Sequence, residues 1–265
     1  MFLKNRIFLI VLVLFVSSLA TVSAGSLLIG VKGWGALWNP VSGDLSEATL
    51  QDFDPDSSIT LKDGRGSMFG PVLGYNFDTN PFALSAALMV FGNFKQESEY
   101  SIPSFSISES MAEELKRADI DIALSYSLDN YLKLFAGYKH TTYKVSMDFE
   151  YEIYEWEAVI KMPTAGLGYT YPVNDRFLIG LQGGLLYAIP DVTFDGEDLD
   201  TENTIGFNIE INGSYVLTPV WLIQGGYRYQ KLNIDFIDYN GTDDVSSADI
   251  FNGITLSLLY VVDIE

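Results

Sequence analysis

A single histidine, His140, stands in the whole chain, and Thr142 two positions on supplies a hydroxyl. On an extended strand, residues two apart share a face. An imidazole so placed can take the hydroxyl proton while the oxygen attacks an acyl ester. Any Ser–His or Asp–His machinery must use this one residue. A second stretch, Asp195-Gly196-Glu197-Asp198-Leu199-Asp200, offers hard carboxylate oxygens that suit calcium. It lacks the spacing of an EF-hand loop, with its glutamate at position twelve, and also reads as a solvated acidic loop. The chain has no cysteine, which removes disulfide and thiolate chemistry. It also has no glycine-rich phosphate cradle, no zinc spacing and no basic–aromatic nucleic-acid face, and no pattern in it calls for a cofactor.

The elements that must position these groups are strands. From 203 to 231 the odd positions Ile205, Phe207, Ile209, Ile211, Tyr215, Trp221, Ile223, Tyr227 and Tyr229 are apolar or aromatic. Between them stand Asn208, Glu210, Asn212, Ser214, Gln224, Arg228 and Gln230. Alternation this long has the period of a strand. Ten such segments follow residue 24, at 27–38, 68–77, 82–95, 119–128, 132–151, 156–171, 177–189, 205–217, 221–231 and 249–262. Short connections alternate with longer ones along most of the chain. An even strand number, with short turns on one rim and longer loops on the other, predicts an all-β, transmembrane, antiparallel up-and-down β-barrel of about ten strands. Its short turns would be periplasmic and its loops extracellular. Within the loop at 96–118, Ser110-Met111-Ala112-Glu113 has the form of a capping box and predicts a short helix through Leu115.

Facing residues in a hairpin have numbers of fixed sum. The turn at Thr218-Pro219-Val220 pairs Leu217 with Trp221 outward and sets Glu210 opposite Arg228 inward. The turn at Asp129-Asn130-Tyr131 sets Asp121 opposite Lys139. Each hairpin thus places an acid against a base in the lumen, where an unpaired dehydrated charge would be costly. Lys133, Gln182 and Gln224 share that inner face. Tyr75, Phe77, Tyr126, Tyr131, Tyr169, Tyr171, Phe177, Tyr215, Trp221 and Tyr260 gather beside the short turns and the C-terminus, as an aromatic girdle at headgroup depth would.

The N-terminus reads as a cleaved secretory signal peptide, residues 1–24: basic Lys4 and Arg6, an apolar run from Ile7 to Val16, then Val22-Ser23-Ala24. Residues 25–265 read as one barrel domain. Loss of two cations and no acid with the signal carries the formal charge from −20 to −22. That balance repels nucleic acid and suits divalent cations or a cationic surface ligand. The acids cluster in the loops: Asp44, Glu47, Asp52, Asp54 and Asp56; Asp191, Asp195, Glu197, Asp198, Asp200 and Glu202; and Asp235, Asp238, Asp243 and Asp244.

In its signal peptide, amphipathic strands, aromatic placement and loop rhythm, the mature chain resembles the small Gram-negative outer-membrane β-barrels of the OmpA-like and OmpW-like class. The resemblance implies an outer-membrane protein among lipid and lipopolysaccharide, assembled with periplasmic chaperones and the barrel assembly machinery. The run Tyr138-Lys139-His140-Thr141-Thr142 resembles the His-x-Ser strand motif of outer-membrane lipid A deacylases, with Thr142 in place of the serine and Tyr143 in place of the usual asparagine. A histidine there also fits an interfacial role beside lipid phosphate. Omptin proteases share the ten-strand count, but their His-Asp pair needs an aspartate two residues from a luminal histidine, where this chain has Thr142. Three functions follow: a non-enzymatic envelope or surface-interaction barrel with acidic loops, a narrow porin-like pore for small solutes or ions, and a deacylase-like enzyme using His140 and Thr142. The first is the leading expectation.

Overall fold

The structure is a computed structural model that describes residues 25–39, 56–62, 64–77, 80–105, 107–148, 153–194, 196–236 and 245–264. The expected signal peptide, at 1–24, lies outside the described residues, as do Asp44, Glu47, Asp52, Asp54, Asp195, Asp238, Asp243 and Asp244. The strands are β1 (Gly25–Asn39), β2 (Ser58–Leu61), β3 (Gly64–Phe77), β4 (Phe82–Ile102), β5 (Ile107–Ser127), β6 (Leu132–Asp148), β7 (Ile153–Asn174), β8 (Phe177–Phe194), β9 (Glu197–Leu199), β10 (Thr201–Glu202), β11 (Thr204–Thr218), β12 (Trp221–Phe236) and β13 (Val245–Ile264). Ten are long, and each pairs antiparallel with its neighbours in chain order. β13 pairs with both β12 and β1, which closes the sheet. The short β2, β9 and β10 pair antiparallel with β4, β8 and β12 at the loop rim. Closure gives each of the ten long strands, among the described residues, a partner on both sides, as an apolar solvent demands.

Side chains at the first position close the short turns. Asp129 Oδ1 accepts from the backbone N–H of Tyr131 and of Leu132, each at 2.7 Å. Asn174 Oδ1 does the same for Arg176 and Phe177, at 2.9 and 3.0 Å. Thr218 Oγ1 accepts from Trp221 at 3.1 Å and Asn80 Oδ1 from Phe82 at 3.1 Å. Such Asx and Ser/Thr turns satisfy backbone donors that no ladder reaches. One registration differs from expectation. A bulge between Val216 and Thr218 pairs Trp221 with Thr218 rather than Leu217, because the Thr218 hydroxyl takes the turn's donors.

The barrel has two storeys of opposite polarity, and β12 shows both. From Trp221 to Gln230 its outward residues are Trp221, Ile223, Tyr227 and Tyr229, and its inward ones include Gln224, Arg228 and Gln230. From Lys231 onward the same two faces carry Lys231, Asn233 and Asp235 outside and fully buried Leu232, Ile234 and Phe236 inside. Along β12 side-chain parity never changes, only the solvent outside. The lower, short-turn storey has an apolar exterior nine residues tall on this strand, near the ~9–11 that a tilted strand needs to cross a bilayer. In the upper storey water lies outside, and Trp38, Phe94, Leu115, Tyr143, Val145, Ile160, Met162, Val192 and Phe251 pack inside as in a soluble protein.

This inversion overturns the expected helix. Residues 110–115 belong to β5, with Met111, Glu113 and Leu115 inward and Ala112 outward. Ladders to β4 and β6 on both sides outweigh a local capping preference. The expected loop at 96–118 is therefore mostly strand, and β4 and β5 reach 21 residues each. Within β4 a bulge at Met89/Gly92 shifts the inward set from odd to even numbers. It places Phe91 at φ 56°, a left-handed conformation rare for a side chain of this size. There Phe91 stacks on Phe69 on the outer surface, ring centres 5.3 Å apart.

Candidate functional site

Where the two storeys meet, a layer of ion pairs crosses the lumen. Arg117 grips Asp119 with one edge of its guanidinium, Nε to Oδ1 at 2.9 Å and Nη2 to Oδ2 at 2.8 Å. Lys139 donates to the same Asp119 carboxylate at 2.6 Å and to Asp121 at 2.9 Å. Arg117, Asp119 and Lys139 are completely or almost completely buried. Across the barrel, Lys32 on β1 donates to both oxygens of Glu210 on β11, each at 2.9 Å, and Thr255 adds a hydrogen bond. Aromatic faces cap the layer. Arg117 lies over Phe251, Tyr143 and Trp34, and Arg228 over Trp34 at 4.8 Å. On the upper side Trp38 Nε1 donates to the buried Asp249 at 2.8 Å.

Below the layer, in the short-turn half, the lumen holds a cavity of about 470 Å³. Its wall carries Lys32, Lys133, Lys139 and Arg228 against two carboxylates, Asp121 and Glu210, with Gln182, Asn208, Asn212, Ser214 and Gln224 between them. Gln224 donates to Asn212 and Ser214, each at 3.1 Å, and fixes the amides of that wall.

The expected pairs are brought together unequally. Asp121 and Lys139 sit in register and form an ion pair. Glu210 and Arg228 also sit in register, but Glu210 takes Lys32 instead. Arg228 stacks on Trp34 and donates its Nη2 to Gln230 at 3.1 Å. Lys32 stands on the inner face of its segment beside Trp34, but only closure of the barrel brings it to Glu210. Arg117 and Asp119 lie in or at the edge of the expected loop, so the expected hairpins do not include the densest ion-pair cluster.

The aromatic residues of the short-turn rim group as follows. Tyr126 packs edge-on against Phe82, Trp221 against Tyr260 at 4.9 Å, and Tyr131 beside both Tyr169 and Tyr171. These and Tyr215 are exposed; Phe77 and Phe177 are half-buried, and Tyr75 is buried with its ring 4.8 Å from that of Phe77. His140 and Thr142 point outward from β6, His140 opposite Ile120 and Lys161, and Thr142 opposite Ala118 and Val159. The lumen therefore contains no imidazole. Glu197 and Asp198, consecutive residues of β9, alternate in direction. Asp200 follows that strand, and among the described residues no three acid or histidine groups converge on a metal position.

No family model matches the sequence, and no curated relative matches it. Among solved structures, the outer membrane protease OmpT from Escherichia coli aligns at TM-score 0.53 and 13% identity, over 92% of this chain and 98% of that one. The translocator domain of the autotransporter NalP from Neisseria meningitidis gives 0.46 at 13% identity, over 89% and 88%. The outer membrane protein OprG from Pseudomonas aeruginosa gives 0.39 at 12%, over 92% and 98%. The chain has the fold of an outer-membrane β-barrel. Its apolar lower exterior is the surface such a barrel turns to lipid, and its place is the outer membrane.

Proposed function

We propose that this outer-membrane barrel does not conduct, and that it holds a rigid acidic rim outside the cell as a surface for envelope or cationic partners. The polarity swap halfway up the lumen carries this reading. A pore needs a wet path along its axis, whereas here the upper storey is filled by fully buried Trp38, Phe94, Leu115, Ile160 and Phe251. A strand extension beyond the membrane with a sealed core is a support for loops. Asp56, Asp191, Glu197, Asp198, Asp200 and Glu202 crowd the rim of that support. With the short turns periplasmic, this rim faces the medium, where divalent cations and lipopolysaccharide are further partners.

Purified barrel added to planar lipid bilayers is expected to give no single-channel steps. In the same preparation, polylysine is expected to bind in a salt-sensitive way and to lose affinity when Glu197, Asp198, Asp200 and Glu202 are all changed to the amides. Regular conductance steps would favour the narrow pore. Loss of acyl chains from lipid A on overexpression, abolished by His140→Ala, would favour the deacylase-like enzyme.

A further inference from the structure

We propose that the cavity in the short-turn half of the lumen is a binding site for a small oxyanion solute, a phosphate or a carboxylate, anchored by Arg228 and assisted by Lys133. In a chain of formal charge −20, this cavity is lined by four cations and two carboxylates. Both acids are committed, Glu210 to Lys32 and Asp121 to Lys139. That leaves two cations over.

Arg228 is one of them. It is more than nine-tenths buried, and it has no carboxylate within ion-pair distance among the described residues. Its one donated hydrogen bond uses Nη2, to Gln230. Arg228 lines the cavity with its guanidinium carbon 4.8 Å from the centre of the Trp34 ring, and its other N–H groups make no side-chain hydrogen bond among the described residues. A guanidinium so placed matches the two oxygens of a carboxylate or phosphate. A buried cation without an ion-pair partner is costly, and an anion bound beside it lowers that cost. Lys133 is the other. It lies on the same wall, two residues into β6 from the short turn, and it too has no ion-pair partner among the described residues. Gly168 stands opposite it and leaves room for the lysine stem, which a Cβ there would meet at 2.5 Å. The amides of Asn208 and Gln182 complete a wall able to hydrogen-bond the rest of a polar solute. On its upper side the cavity ends at Lys139 and the buried layer, so the site is a dead-end pocket. This inference is independent of the surface role: binding is measured without reference to conductance or to the loops.

The test is equilibrium dialysis of the folded, detergent-solubilised barrel against radiolabelled inorganic phosphate, with a second arm using radiolabelled succinate. Folding of each variant is checked by heat-modifiable gel mobility. Saturable binding in at least one arm is expected. Arg228→Gln should weaken it about tenfold or more, since it removes charge-assisted hydrogen bonds. Lys133→Gln, near the rim and safe for folding, should weaken it severalfold and reduce its salt dependence. The arm that saturates identifies which oxyanion chemistry the site prefers. Absence of saturable binding in both arms, or affinity unchanged in both variants, would overturn the assignment.

Discussion

Arg117 holds its guanidinium 4.1 Å from the centre of the Phe251 ring. The contact joins β5 to β13 across the lumen, at the height where the interior passes from polar to apolar. One edge of the guanidinium is bound to Asp119, so the ring covers a charge that is already paired. A planar, weakly hydrated cation tolerates such a place where an ammonium would not.

Asp119 is the shared acceptor of this layer, and its removal strands two buried cations. Asp119→Asn is expected to destabilise the barrel by about 3–5 kcal/mol, the usual cost of breaking a buried pair from one side. Arg117→Lys keeps the charge but loses the fork and the stack, and should cost less. Urea midpoints of the folded species in detergent, followed by tryptophan fluorescence, give both values. If Asp119→Asn unfolds at the wild-type midpoint, the layer is not what closes the lumen.

Glu210 offers a choice between two partners. It stands in register with Arg228 but bonds Lys32. Double-mutant cycles should give a coupling of about 1–3 kcal/mol for Lys32 with Glu210, as a half-buried charge-assisted pair predicts. Coupling of Arg228 with Glu210 should be smaller. The reverse order would return the pairing to the simple hairpin register.

Those residues show how far the sequence reaches. Asp121 and Lys139 were legible because one turn fixes the sum of their numbers, which is local information. Lys32 meets Glu210 only because the first strand closes against the last, and no hairpin encodes that meeting. The upper storey was lost for another reason. Along β12 the alternation continues past Gln230, but Leu232 and Ile234 take the inner face where Gln224 and Arg228 stood. A rule that reads apolar as outward stops at Lys231, and a capping box read by itself makes residues 110–115 a helix. Strand number, strand order and the short turns survive this, because they depend on period and spacing rather than on which solvent lies outside.

Close packing predicts opposite results at two glycines. A Cβ on Gly70 would lie 1.7 Å from the Leu88 carbonyl oxygen, at the point where the β4 bulge presses on β3. Gly70→Ala should cost about 1–3 kcal/mol as the backbone gives way. A Cβ on Gly35 meets nothing within 4 Å. Gly35→Ala should leave the urea midpoint unchanged or raise it slightly, by limiting the unfolded chain. Equal midpoints for the two variants would contradict the tight approach at Gly70.

Acid should loosen the turn between β5 and β6 in a way that the turn between β7 and β8 escapes. The backbone N–H groups of Leu132 and Tyr131 hold the exposed Asp129 carboxyl below its ordinary range. A carboxyl whose pKa is lower folded than unfolded contributes fully above the unfolded value, about 3.9. The contribution fades as pH falls from there through the lowered folded value. Asn174 makes the same two bonds in its own turn with a side chain that does not titrate. Asp129→Asn should therefore keep the acceptor and lose the pH dependence. Wild type should be the more stable at pH 7, and its advantage should shrink once the pH drops below about 4. Unfolding midpoints of the two proteins across that range decide the matter, and an advantage that stays constant into acid would mean that the charge on Asp129 plays no part in the turn.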